Sequence, residues 1–429
     1  MSLPAIPSRP RPGVITALAA AGVFLYANSC PAAPATKPAG GENAYTVLCS
    51  AVKGLRDEAK IGFAAKQTHD TEKEADDRPY SDDEVAQLVS ENQAPLADAR
   101  RALRLPYSVP LTDVNITTKI PCLIKFRALA RLFVLDARVK SASSNPAAAM
   151  DSALDAIALG ELVQTRTTYV GCLAGVACEA AGGRAAWDIV QHLSTAESAA
   201  AAHRLERIIS THPPFSAVMA NEHIIARNSI PLFLSARDPV AMVGDTGYQF
   251  VGGDSDALRQ GVAEMRKAGL SAALADIDAA DAKMARLNGG LWKVPDADPP
   301  LLGKLVITRF LYSIDVPKMR FTVIAAEAQD RLLLTTLAVH AYEGEHSQLP
   351  DNLKQLAPAY YRAVPADVFT AGEPLKYGRS DGKAIIYSIG PDGIDDSGDP
   401  INNPGTKTEA ARTAPTIDST GDIVAGINI

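Results

Sequence analysis

Between residues 45 and 345 apolar side chains recur at three- and four-residue intervals, the spacing that gathers them on one face of a helix. The pattern predicts helices over 45–59, 82–103, 121–139, 147–169, 173–193, 196–210, 214–235, 255–287, 302–313 and 321–345. In 82–103 the apolar positions are Val85, Leu88, Val89, Leu96 and Leu103, with Ser81 or Asp82 available as N-cap. In 121–139 apolar residues cover more than one face and Arg127, Arg131 and Arg138 form a polar stripe, which suits a helix inside a bundle. Asn145-Pro146 stops that helix, and the polar stretch 66–83 reads as a solvated loop. The helices from 147 onward are rich in alanine and other small residues, which permits close approach of helix to helix. Their spacing is too irregular for a repeat solenoid.

The pattern changes after His346. Pro, Gly, Asp and Tyr become frequent, and short apolar runs at 375–377, 384–389 and 423–424 read as strands. The predicted fold is therefore mainly α: a helical array followed by a small α+β C-terminal domain. The organisation is an N-terminal segment over 1–41, a helical domain over 42–318 and the small domain over 319–429.

Composition narrows the classes. With 429 residues the chain can build two folded regions, and 47% hydrophobic with 21% charged residues is a globular balance. A net charge of −7 does not describe a surface built to neutralise phosphates, so nucleic acid is excluded as a partner.

At the N-terminus Arg9 and Arg11 precede an uncharged apolar run over 13–27, then small residues and a Pro/Ala/Gly-rich stretch over 31–41. That is the order of a secretory signal, and the run is short for a helix that must cross about 30 Å of hydrocarbon. Cleaved or lipid-anchored export, an uncleaved single-pass anchor and a frayed cytosolic terminus all remain open. Ala27-Asn28-Ser29-Cys30 stands where a bacterial lipoprotein signal places its lipidated cysteine; plain cleavage is the alternative. Export permits disulfides among Cys49, Cys122, Cys172 and Cys178. Cys172 and Cys178 are six apart, which does not stack them on one helix face, so a bridge needs a break near Gly175 and two buried free thiols are the other reading.

No catalytic constellation stands out. His340 and His346 flank Glu343 and Glu345 without the spacing that sets two imidazoles one turn apart, and read as a polar helix end. Glu222-His223, with Arg227 a turn on, are adjacent positions that do not face each other and read as a helix-surface cluster. Ser388 lacks a nucleophile elbow. Gly252-Gly253 and Gly289-Gly290 are turn glycines without a phosphate-loop pattern.

The C-terminal region carries one ordered set of motifs: 337–342, Leu349-Pro350, 353–356, Pro365-Ala366-Asp367, 374–377, 387–393 and Gly421-Asp422-Ile423. In that order they resemble the globular part of the major pseudopilins of type II secretion systems. There a long helix leads to a turn, a short helix, a loop, a β-hairpin and a Ser-Leu-Gly-Ala-Asp-Gly-like loop closed by an Asp-Ile pair. The likeness covers about the last quarter of the chain. It departs from the family in three ways: about three hundred residues precede the region, Glu327, Asp330 and Arg331 interrupt the apolar face of its helix, and 367–370 lacks the family's Trp-Gly. Glu42-Asn43-Ala44-Tyr45 followed by a long helical body also resembles a family of uncharacterised bacterial envelope proteins, which implies no activity.

Asp392, Asp395, Asp396 and Asp399 crowd among Gly390, Gly393 and Gly398, and hard oxygen donors at that density suit calcium. A solvated acidic turn is the competing reading. The pseudopilin resemblance implies a calcium site closed by Asp422, so the expected ligands are Asp392, Asp395, Asp396 and Asp422. The expected function is that of an exported envelope or periplasmic protein, tethered through the N-terminal segment or a lipid on Cys30, whose calcium-stabilised head contacts other envelope proteins. The alternative is an exported hydrolase with its site between helices of the body, which an ordered pocket containing Glu222 or His223 with convergent polar groups would favour.

Overall fold

The computed structural model describes residues 42–69, 79–111, 113–118, 120–243, 255–288, 304–311, 316–380, 382–406 and 408–428. The N-terminal segment with Cys30, part of the 66–83 loop, Gly252-Gly253 and Gly289-Gly290 lie outside them.

Among the described residues the protein is mainly helical, with fourteen α-helices and one small antiparallel sheet. The helices are α1 Ala44–Lys53, α2 Glu58–His69, α3 Asp82–Glu91, α4 Gln93–Ala102, α5 Phe126–Ala142, α6 Pro146–Gln164, α7 Tyr169–Val190 and α8 Thr195–Ile209. They continue with α9 Phe215–Ser235, α10 Ser255–Ala268, α11 Leu270–Asn288, α12 Val306–Leu311, α13 Val316–His346 and α14 Glu409–Thr413. The strands are β1 Lys376–Ser380, β2 Lys383–Ser388 and β3 Ile423–Val424, in the order β1-β2-β3, with Tyr377 opposite Ile386 and Ser388 opposite Ile423.

Local chemistry explains where several predicted helices divide. The segment 82–103 is two helices, because Asn92 is fully buried between them and its side chain accepts from Arg56 N at 2.8 Å and donates to the Leu88 carbonyl at 2.9 Å. The segment 45–59 likewise breaks after Lys53, at Gly54, and 255–287 breaks at Gly269, whose φ of +86° only glycine adopts without strain. The helix predicted over 147–169 ends at Gln164, since Thr168 caps the next one by accepting from Gly171 N. Asn145 caps α6, accepting from Ala148 N, with Pro146 in the first turn, so Asn145-Pro146 starts a helix as well as stopping one. Ser81 and Glu84 close the start of α3, and Ser194 and Glu197 that of α8, each as a reciprocal pair. α7 runs unbroken through Gly175, and Cys172 and Cys178 are buried free thiols.

α6 and α7 form the centre, buried on nearly all sides. Their backbones almost touch: a Cβ on Gly160 would lie 2.6 Å from the Gly175 carbonyl oxygen, and one on Gly182 would lie 2.6 Å from that of Ala153. α5 covers one side of the pair, while α8 and α13 cover another. One apolar core runs from Leu154 and Ile189 through Leu205, Leu333 and Leu337 to Tyr361, Ile386 and Ile423, so the sheet packs on the same long helix that closes the body. No helix among the described residues is long and apolar enough to cross a membrane.

Candidate metal centre in the helical body

Of the aspartates singled out in the sequence, Asp392, Asp395 and Asp422 brace backbone. Asp422 is wholly buried and accepts from Gly398 N at 2.6 Å and Asp396 N at 3.4 Å. Burial pushes its carboxyl up to about 6, against the pull of those two N–H groups. Asp392 accepts from Ile394 N at 3.1 Å and Gly421 N at 3.2 Å. Asp395 accepts from the Tyr387 hydroxyl and Ser397 N, both at 3.1 Å, and pairs with Lys376 at 3.5 Å. Asp396 and Asp399 are exposed. Ser388 Oγ donates to the buried Asp367, which also accepts from Ile389 N and so ties the hairpin to the preceding loop.

The other sequence candidates separate. Glu222 is half-buried: it accepts from Tyr169 N at 2.5 Å, an uncapped donor in the first turn of α7, and desolvation pushes its carboxyl up to about 7. His223 faces Asp278 and Asp281 on α11. His340 Nδ1 lies 2.8 Å from Ser198 Oγ, and His346 stacks on Tyr342 with ring centres 4.0 Å apart.

A different group gathers between the central helices. Glu161 near the end of α6, Glu179 on α7 and His212 just beyond α8 place their ligand atoms within 4.8 Å of one another; among the described residues they are the only such group of three or more His, Cys, Asp or Glu. The four loop aspartates do not meet that geometry. His212 Nδ1 is 3.0 Å from Glu161 Oε1 and 3.1 Å from Oε2. Glu179 is 2% exposed, and neither of its carboxylate oxygens has a hydrogen-bond partner. Gly160 creates the space, because a Cβ there would sit 2.5 Å from Glu179 Cγ. Asp330 of α13, also buried, adds a third carboxylate, and it lines a small cavity of about 60 Å³ with Glu179, Trp187 and Gln329.

Among the described residues no lysine or arginine pairs with Glu161, Glu179 or Asp330, so burial acts on them with little opposition. It raises Glu161 to about 9, with the Asp330 charge adding to it. Glu179 rises well above the usual carboxylate range through burial and then the charges of Glu161 and Asp330, and Asp330 rises to about 7 through burial. Three buried carboxyl groups facing one imidazole are costly without a cation among them. With one they form a set of oxygen and nitrogen donors of the kind that holds zinc, manganese or ferrous iron.

Glu161 also lines a cleft of about 760 Å³ bounded by Arg100, Arg104, Lys140, Arg204 and Arg207. Asp155 joins Arg100 Nε at 2.8 Å to Arg204 Nη2 at 2.5 Å, and Asp136 accepts from Arg100, Lys140 and Ser152 at 2.5 to 2.8 Å. Burial raises the Asp136 carboxyl, but Lys140, Ser152 and Arg100 outweigh it and hold the group ionised. Arg100 and Arg204 are thus held in place in the cleft wall by these carboxylates.

Sequence reasoning passed over this centre. Its signal was present as lone acids in apolar, small-residue surroundings, Gly160-Glu161-Leu162 and Cys178-Glu179-Ala180, and as His212 in a turn fifty residues from Glu161. Compared with protein-family models, curated proteins and solved structures, the chain matches none.

Proposed function

We propose that this is an exported protein of the cell envelope whose helical body binds a divalent transition-metal ion through Glu161, Glu179 and His212. The observation that carries the reading is Glu179, a buried carboxylate with no donor, aimed at a second carboxylate and an imidazole. A divalent ion there supplies the positive charge that the fold otherwise withholds. Three protein ligands leave a coordination position free, as catalytic rather than structural metal sites do, and Glu161 borders the cleft.

The test is calorimetric titration of zinc into the full chain after chelator dialysis. One ion per chain is expected, and at a hundredfold excess over Kd it stabilises the fold by about 2.7 kcal/mol. Glu179→Gln is expected to abolish binding while leaving the metal-free fold at least as stable, since it removes a buried acid. Absence of stoichiometric binding, or wild-type affinity in Glu179→Gln, overturns the reading.

A second reading concerns the head, favoured by the closure of its acidic loop through Asp422. In it the pseudopilin-like region binds calcium through Asp392, Asp395, Asp396 and Asp422 and contacts other envelope proteins. Calcium is then expected to raise the melting temperature of the full chain, and Asp392→Ala to remove that rise. Tethering through the N-terminal segment or a lipid on Cys30 is checked by fractionation and mass spectrometry of the wild type beside Cys30→Ala.

A further inference from the structure

The cleft beside the metal centre has a charge pattern of its own. Arg100, Lys140 and Arg204 are held by Asp136, Asp151 and Asp155, so their positive charge is largely answered. Arg104, just beyond α4, and Arg207, on α8, line the same cleft and pair with no carboxylate among the described residues. They stand about one turn along the chain from Arg100 and Arg204, so the cleft lining holds two restrained and two unengaged guanidinium groups. The lining carries five cationic side chains against Asp151, Asp155 and Glu161. A cavity of about 760 Å³ is large enough for a small organic molecule, and guanidinium groups recognise planar or tetrahedral oxyanions through paired N–H donors.

Glu161 joins this cleft to the centre beneath it, because it lines the one and is a member of the other. We propose that the cleft binds an oxyanion, a carboxylate or a phosphate group, held by Arg104 and Arg207 and presented to the metal at Glu161 as its remaining ligand. The last clause rests on the metal reading above; the arginine clamp does not. The ligand class follows from the donors: an anionic head with one or more oxygens, on a small rather than a macromolecular body.

The experiment is calorimetric titration of inorganic phosphate and, in a separate arm, of acetate into the full chain with and without zinc, repeated with the double variant Arg104→Gln/Arg207→Gln. Both arginines are at the surface of the cleft, so the variant is expected to fold and to bind zinc as the wild type does. Saturable binding to the zinc-loaded wild type is expected, weakened at least tenfold in the double variant and weakened again when zinc is withheld. Whichever of phosphate and acetate binds more tightly identifies the class. Equal affinity in wild type and double variant, or no saturable binding of either anion, overturns the proposal. Failure of zinc to bind by itself refutes the metal reading, while arginine-dependent anion binding in the metal-free chain still decides whether the clamp exists.

Discussion

Gly182 and Gly183 are neighbours on α7, yet substitution by alanine is expected to act in opposite directions. In both, alanine adds about 1 kcal/mol of helix propensity over glycine. At Gly183 a Cβ meets nothing within 4 Å, so that gain is kept and Gly183→Ala stabilises the protein by about 0.5–1 kcal/mol. At Gly182 the Cβ would lie 2.6 Å from the Ala153 carbonyl oxygen, 2.8 Å from Ile157 N and 2.9 Å from Ala156 Cβ. The first contact is about 0.8 Å short of ordinary van der Waals distance, and backbone on the facing helix cannot swing aside as a side-chain tip can. α6 and α7 must move apart, which loosens the best-packed seam in the molecule. Overpacking of this kind costs roughly 1–3 kcal/mol, more where backbone is involved, so Gly182→Ala is expected to lose about 2 kcal/mol net. Urea denaturation followed by circular dichroism measures both, with the slope unchanged and the midpoint moved down for Gly182→Ala and up for Gly183→Ala. A Gly182→Ala midpoint at or above that of Gly183→Ala would refute the claim that the two central helices meet backbone to backbone.

Glu222 is half-buried with its carboxyl raised to about 7, so its native form keeps a proton that the unfolded chain releases near the ordinary carboxylate value. Its contribution is complete at acidic pH and is lost as pH rises toward 7; Glu222→Gln, which keeps an acceptor for Tyr169 N, is expected to flatten the stability profile over that window by up to about 3 kcal/mol, read from denaturation at a series of pH values. Arg100→Met leaves Asp155 facing only Arg204 and takes one of three donors from Asp136, and a loss of about 2–4 kcal/mol is expected in the same denaturation assay. The Cys49 and Cys122 thiols interact directly, whereas Cys172 and Cys178 lie on one continuous helix. Peptide mapping of oxidised chain is expected to find Cys172 and Cys178 unlinked, and a bridge between them would refute the unbroken helix that holds them apart. Asp422→Asn places an amide donor where Gly398 and Asp396 each offer N–H, and is expected to cost about 1–2 kcal/mol, visible as a lower melting temperature.

The chain's own pattern determined the helical character, the change of texture after His346 and the strands near 376, 385 and 423, because each depends on periodicity or on turn residues close together in sequence. The Ser81 cap was legible for the same reason, since it satisfies a donor three residues away, whereas Asn145 was legible only as a stop. Breaks at Asn92 and Thr168 were not. Asn92 ends a helix by bonding Arg56, thirty-six residues earlier, and periodicity continues straight through it. The loop aspartates were conspicuous as a cluster in sequence, but the carboxylates of Asp392 and Asp395 turn to different N–H groups and those of Asp396 and Asp399 are exposed. The metal centre was inconspicuous because its members sit on three separate segments, and a single acid in an alanine-rich helix gives no periodic signal. What brings Glu161, Glu179 and His212 within 4.8 Å of one another is the backbone contact at Gly160 and Gly175, which lets two helices close together and carry three polar groups out of water. Local sequence sets each helix and its caps, whereas which buried acids meet depends on how closely those helices can approach, a property of the packed chain alone.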